Sequence, residues 1–444
     1  MGYITGEGRN QGSLFPVLLD ELIPEDHACR VIEAFVGKLD VVALGFERAR
    51  AADTGRPGYD PRDLIKLYLY GYLQQLRSTR RLEAECRRNV ELMWLLGRLA
   101  PDHKAIAEFR KVHSQALTHA GAQLIGLARS VGLLRGGWVA VDGSKFRTVS
   151  SARSVGEREA LRGYLRQLDE ADAQDQEVVD HAAAAAALAK IAAHPEPEAR
   201  FMRTTAGTVP AYNLQAVVDT QDRLIVVQQV TTQASDNRSL EPMARAAQAA
   251  VAAPGEEIHL VADAGYSNGE QAKACEDMGV VTHIPANRAV NNQAGGQLFD
   301  RGAFVYDSQA DTYTCPAAKT LRRSRKDRQK RCTQYAASAR DCLACPLKPQ
   351  CTRSTHRLVT RHFDENALER MHQRATPEAM RLRRTTVELA FADLKYKILG
   401  LPRLLLRGTR GAQAEMSIAV MAYNLKRMIK ALGAQRLTQN WMPA

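Results

Sequence analysis

Two short apolar runs, WVAVD at 138–142 and IHLVAD at 258–263, each stop on an aspartate. Both read as strands by length and composition. Between them, 212–219 and 223–231 flank the turn Thr220-Gln221-Asp222 as a hairpin, and 239–252 reads as a helix. Behind Asp263, AGYSNGE leads into another helix, and 280–285 is a further strand. Strand, hairpin, helix, strand, helix, strand and a late helix make an α/β pattern with a mixed sheet.

Two long pieces interrupt that order. Residues 151–200 are rich in Ala, Asp, Glu and Gln, and predict a helical insertion ended by His194-Pro195-Glu196-Pro197. Residues 289–376 hold most of the cysteines and the run 322–331, in which seven of ten residues are Lys or Arg, read as flexible. Ahead of the sheet everything reads as helical. A first helix is expected over 17–39, and Asp60 and Pro61 open a second over 62–76. Ser78 or Thr79 caps the next, which runs through Asn89 and carries Arg80, Arg81, Arg87 and Arg88. Two more follow, over 90–96 and from Asp102. Short helices with a basic second member read either as a helix-turn-helix-like DNA reader or as a bundle with a solvated basic face. The expected division is a helical DNA-binding domain at 1–136, a catalytic domain at 137–430 and a tail at 431–444.

With 61 Lys and Arg against 49 Asp and Glu, the net charge is +12, which favours a polyanionic partner. No apolar run approaches the roughly 18 residues that span a bilayer. The opening MGYITGEGRNQGSLF lacks the basic-then-apolar order of a signal peptide, so no membrane partner and a cytoplasmic, nucleoid-associated protein are expected.

The late helix carries the chemistry. Over 381–398, RLRRTTVELAFADLKYKI at about 100° per residue puts Val387, Phe391, Leu394 and Ile398 on one stripe. Arg381, Arg384, Glu388 and Lys395 fall on another. Alone, that second stripe is an ordinary solvated ion-pair face. Asp142 and Asp263 change the reading, because side chains at the carboxyl ends of neighbouring strands converge on one edge. A late helix packed there brings a third carboxylate. Such a trio suits Mg²⁺, and two ions about 3.5–4 Å apart clamp the attacking and leaving oxygens of a phosphodiester.

In VAVDGSKF (139–146), VADAGYSNGEQ (261–271) and the flanks of Glu388, the chain resembles bacterial insertion-sequence transposases of the DDE, RNase H-like type. It is most similar to the insertion-sequence-1182-like branch, through GYITGEGRNQGSLFP, RPGYDPRDLIKLYLYGYL, RRLEAECRRNVELMWLLGRLAPDHKAIAEFR and AYNLKRM (422–428). The resemblance implies an α/β fold with an RNase H-like mixed-sheet core, an all-α N-terminal DNA-binding region, and cleavage followed by strand transfer. It implies two Mg²⁺ or Mn²⁺, with Asp142 bridging both and Asp263 and Glu388 completing one each. Double-stranded DNA, as element ends and target, and a homodimer in the DNA complex are the implied partners. Of the Tyr-x2-Arg-x3-Glu-x6-Lys signature of such enzymes, Arg384, Glu388 and Lys395 fit, while Arg381 stands at the tyrosine position. Leu389-Ala390 replaces a common His-Pro, which predicts a more regular helix.

Arg384 and Lys395 would neutralise phosphates; Lys145, Tyr266, Asn287 and Arg288 are further candidates for DNA contact, against a turn, a packed aromatic and strand-end residues. Asp236 and Asn237 read as a helix cap. Two other functions compete: a catalytically inactive DNA-binding derivative, and a nuclease that cuts without joining.

Cys342-x2-Cys345-x5-Cys351, with Cys315 upstream, supplies four thiols near the spacing of a structural zinc site. The alternative is reduced, buried cysteines in a small insertion. Cys29, Cys86 and Cys275 read as core.

Overall fold

The computed structural model describes residues 18–50, 58–172, 181–204, 207–251, 256–287 and 298–442. It divides into two compact units: residues 1–133 together with 393–444, and residues 134–392.

The regular elements of the first unit, among its described residues, are all helices. Asp60 accepts from Arg62 N, and Pro61 opens the helix Pro61–Leu73; Asp102 accepts from Lys104 N and Ala105 N to start His103–Val112. Between them lie Thr79–Cys86 and Val90–Leu95. The helix expected over 17–39 is instead a 3₁₀ turn, Leu19–Leu22, and a separate helix, Ala28–Gly37. Pro24 explains the break, since it removes a donor and pushes the residue before it out of the helical region. The chain's end also differs from the expected division. The helix Gly408–Leu432 packs on Ser114–Ser130 and Pro61–Leu73, and the presumed tail forms Ala434–Trp441, packed on Ala28–Gly37 with Trp441 buried. Glu415, fully buried on the long helix, accepts from Arg77 at 3.1 Å and from the Leu405 and Leu406 amides. Such a charge is tolerable only with partners of this kind.

The second unit is α/β. Its main sheet contains β1 (Trp138–Arg147), β2 (Arg200–Thr204), β3 (Gly207–Asp219), β4 (Ile225–Thr231), β5 (Ile258–Val261) and β6 (Val280–His283). The order is β2-β3-β1-β5-β6, and β4 also pairs with β3. β1 runs antiparallel to β3 and parallel to β5, and β5 is parallel to β6, so the sheet is mixed. The helices Ala152–Asp172 and His181–Ala192 occupy the helical insertion. Among the described residues, no helix is long and apolar enough to cross a membrane.

The basic run 322–331, expected to be flexible, lies instead inside a folded cysteine-rich segment. That segment forms a second sheet of β7 (Val305–Asp307), β8 (Thr312–Thr314), β9 (Thr320–Asp327), β10 (Cys332–Ala336) and β11 (Leu358–His362), in the order β11-β10-β9-β8-β7. Much of the basic run is β9, whose side chains after Leu321 are mostly exposed. Tyr313, Leu321, Tyr335 and Val359 form a small core beneath it. One apolar face per strand suffices to order a run that composition alone marks as flexible.

Candidate active site

β1 does not stop at Asp142, as expected, but continues to Arg147, because β3 pairs with it along its whole length. Its parallel pairing with β5 covers only Trp138–Ala140, so Asp142 lies just past that ladder. Asp263 follows β5 after the single residue Ala262 and caps the one-turn helix Ala264–Tyr266. The two aspartates share one arrangement. Each Oδ1 accepts a nearby backbone amide at 2.8 Å, Gly143 N for Asp142 and Gly265 N for Asp263. Each Oδ2 faces the guanidinium of Arg383, at 2.7 Å for Asp142 and 3.7 Å for Asp263. Glu388 Oε1 stands 3.9 Å from the other terminal nitrogen of Arg383. The three acids therefore meet around one cation.

Sequence reasoning passed over Arg383, and the helix explains why. The helix expected over 381–398 begins earlier, at Pro377, and is not α-helical throughout. It carries two π-helical turns, Arg384–Glu388 and Leu394–Ile398. On an α-helix, residues five apart are separated by about 140° around the axis. A π-turn closes i→i+5 bonds instead, which brings positions 383 and 388 towards one face. The apolar stripe survives, with Val387, Phe391, Leu394 and Ile398 all buried. The first half of the run packs on β1, β3 and β5.

Asp142 is the most enclosed of the three acids, and burial pushes its carboxyl up to about 6. Arg383 and the Gly143 amide oppose that shift, while Asp263 and Asp236 reinforce it. Asp236 is not the expected helix cap. It accepts from Asn213 at 2.7 Å, Gln215 at 2.6 Å and Lys145 at 3.4 Å. Gln215 in turn accepts from Tyr266, whose fully buried hydroxyl is held far above its ordinary pKa by burial. A Cβ at Gly143 would lie 2.5 Å from both Asp236 Oδ1 and Gln215 Nε2, so only glycine fits beside Asp142. Asn237 bonds to Ser267 O and Asn268, pinning the loop after Asp263 rather than capping a helix.

The remaining candidates scatter. Arg381 and Arg384 are exposed on the helix that carries Glu388. Lys145 turns to Asp236, and Tyr266 is core rather than surface. Lys395 belongs to the first unit, and Arg288 lies outside the described residues. Arg80, Arg81, Arg87 and Arg88 are all exposed; Arg87 pairs with Glu83 and Arg88 with Glu85. A basic cluster that the sequence did not single out lies near the C-terminus, where Lys397, Lys426, Arg427 and Lys430 line one cavity.

Cys315, Cys342, Cys345 and Cys351 line a single cavity walled by Phe299, Ala337 and Leu347. All are free thiols. Cys315 Sγ accepts the Lys319 amide at 3.3 Å from a tight turn in which Ala318 has φ +56°. Burial raises the Cys351 thiol, as do the other three cysteines, against the lowering effect of Arg357.

Among the described residues, the one group of three or more ligand-type side chains whose ligand atoms all lie within 4.8 Å is His27, Cys29 and Glu91. That group has a plain structural use: His27 caps the helix Ala28–Gly37 by accepting Cys29 N and pairs with Glu91 at 3.6 Å. The Cys29 thiol is pushed up to about 12 by burial, so it stays protonated. The acids around Arg383 thus stand wider than a single ion would draw them, with a guanidinium between. Their donor set is nonetheless all hard oxygen converging on one cationic point, which fits Mg²⁺ or Mn²⁺.

Residues 139–425 match the family model described as Transposase DDE domain, and residues 17–112 match the one described as Transposase domain (DUF772). Among solved structures, the chain is similar to a piggyBac transposase in its synaptic complex with hairpin DNA. The identity is 9%, the match covers 93% of this chain and 78% of that one, and the TM-score is 0.35, too loose to bear weight. No curated protein matches the sequence.

Proposed function

Because the chain belongs to the transposase DDE domain family, we propose that it binds the terminal inverted repeats of an insertion sequence, cuts at their ends and joins them to target DNA. The observation that carries this reading is the meeting of Asp142, Asp263 and Glu388 around Arg383. Asp142 would be shared by two Mg²⁺ or Mn²⁺ ions, with Asp263 and Glu388 each completing one. Bound there, the ions supply charge neutralisation and activation of the attacking oxygen. The chain's own part is positional. The Gly143 and Gly265 amides fix one oxygen of each aspartate, leaving the other directed into the site. Exposed Arg384, with Arg381 beside it, offers charge to a phosphate passing over the helix. The mixed sheet, with its helix-borne third acid, supports an RNase H-like core, and the reading of the insertion-sequence-1182-like branch rests on the sequence stretches alone.

Exposed Arg80, Arg81, Arg87 and Arg88 are the proposed DNA-binding face of the helical region, where contacts to phosphate give affinity and base contacts give choice. The four thiols line one cavity, with a backbone amide on Cys315, and would have to draw closer to hold one structural Zn²⁺ in the second sheet, since no three of their sulfurs lie within 4.8 Å of one another. A homodimer on DNA, in the cytoplasm and at the nucleoid, completes the reading. Incubating the protein with Mg²⁺ and the repeats flanking its gene, then mapping nicks and joined products, tests it. Joined products are expected; nicks alone would make it a nuclease, and binding alone an inactive derivative.

A further inference from the structure

Arg383 is placed like a cofactor substitute and bonded like a visitor. Only 13% of its side chain is exposed, yet it makes one hydrogen bond, to Asp142 Oδ2. Its approaches to Asp263 and Glu388, at 3.7 and 3.9 Å, are too long for hydrogen bonds. Its Nε is buried without a partner. An arginine that serves as a structural tie looks different in this molecule. Arg158, more fully buried and with its Nε likewise unpartnered, differs in its terminal nitrogens, which donate to Glu196 O at 2.6 Å and Ala199 O at 2.5 Å and so lock the loop that closes the helical insertion.

We propose that Arg383 is a displaceable counter-cation: it holds the three carboxylates together in the metal-free protein and must leave Asp142 for metal to bind. The proposal rests on the reading of these acids as metal ligands. Asp142 is enclosed and has Asp263 and Asp236 close enough to raise its carboxyl, while the more exposed Glu388 faces the same guanidinium. Without a cation these acids would splay apart or take up a proton at Asp142. A guanidinium meets that need with a single delocalised charge and one bond. A divalent ion brings more charge and accepts oxygen lone pairs directly, so it competes for the same Asp142 oxygen. The guanidinium repels the incoming ion as long as it stays. Arg383 thereby keeps the site assembled but lowers its apparent metal affinity, since part of the binding energy goes into moving the arginine aside.

Titration of the full-length protein with Mn²⁺, followed by electron paramagnetic resonance and by thermal unfolding, tests this without any activity measurement. Arg383→Gln is expected to bind Mn²⁺ about tenfold more tightly than the unmodified protein, and to melt at a lower temperature in chelator. Added Mn²⁺ should recover more melting temperature in the variant than in the parent. Arg383→Lys keeps a charge in the same place and should retain the weaker affinity, which separates displacement from general loosening of the fold. Equal or weaker Mn²⁺ binding by Arg383→Gln, with Arg383→Lys folded, overturns the proposal. Asp142→Asn is the control for the underlying reading: if it leaves Mn²⁺ binding unchanged, the acids are not the metal ligands and both ideas fall together.

Discussion

Asp142, Asp263 and Glu388 meet around a guanidinium, whereas Cys315, Cys342, Cys345 and Cys351 face one another across a cavity without a disulfide between them. The contrast follows from the charge of the donors. A carboxylate is ionised at neutral pH, so setting two more beside the enclosed Asp142 favours an opposing charge from the chain itself, even with Asp263 half-exposed and Glu388 exposed. A thiol with an ordinary pKa of about 8.5 is neutral, so four can share a cavity without requiring a cation at its centre, although Lys319, Lys348 and Arg357 also line it. The acid site must therefore displace something to take a metal. The thiols must instead lose protons, as metal binding requires of cysteine.

The largest effect should come from removing charge at the acid site. Asp142→Asn, Asp263→Asn and Glu388→Gln should each cut DNA cleavage by about a thousandfold or more, roughly 4 kcal/mol of barrier. Binding to the repeats, measured by gel shift, should stay near the parent value because cations elsewhere supply most affinity. Cleavage near the parent rate by any one variant would take that residue out of the site.

The thiols give the next test. Protein purified without added zinc should carry close to one equivalent by elemental analysis, and chelation should raise hydrogen exchange across residues 305–362 while β1, β3 and β5 stay protected. Less than about a tenth of an equivalent would mean that packing alone holds the cysteines.

Acidity sharpens the comparison from the other side. The Asp142 carboxyl titrates at about 6 in the fold, above its ordinary 3.8. Below about pH 6 a proton occupies it and must be displaced, so Mn²⁺ affinity should fall by about tenfold per pH unit there. In the metal-free protein the raised value means that Asp142 contributes stability below its unfolded pKa, and that this is lost as pH rises through about 6. Mn²⁺ titrations at pH 5 and 7 with equal affinities would contradict the assignment.

Smaller still is the effect of two cations of the late helix, exposed Arg384 and half-buried Lys395. Arg384→Ala and Lys395→Ala should fold and bind the repeats, yet cut or join about tenfold more slowly, the worth of one charge-assisted contact. If both transposed at the parent frequency, the stripe would be a solvated face and no more.

What the sequence determined by itself is local. The caps at Asp60 and Asp102, the apolar runs that became β1 and β5, and the buried stripe Val387, Phe391, Leu394 and Ile398 could be read because each depends on neighbours two to four residues away. Asp142, Asp263 and Glu388 were legible as a set only through element order and family resemblance. Tertiary structure decided the rest. Whether positions 383 and 388 share a face depends on a π-turn, a defect that packing imposes and that no regular periodicity encodes. Asp236 turns inward because Asn213, Gln215 and Lys145, distant in the chain, await it there. The C-terminal helices join the N-terminal ones because their apolar faces need cover, and the nearest cover in space lies some three hundred residues away in sequence.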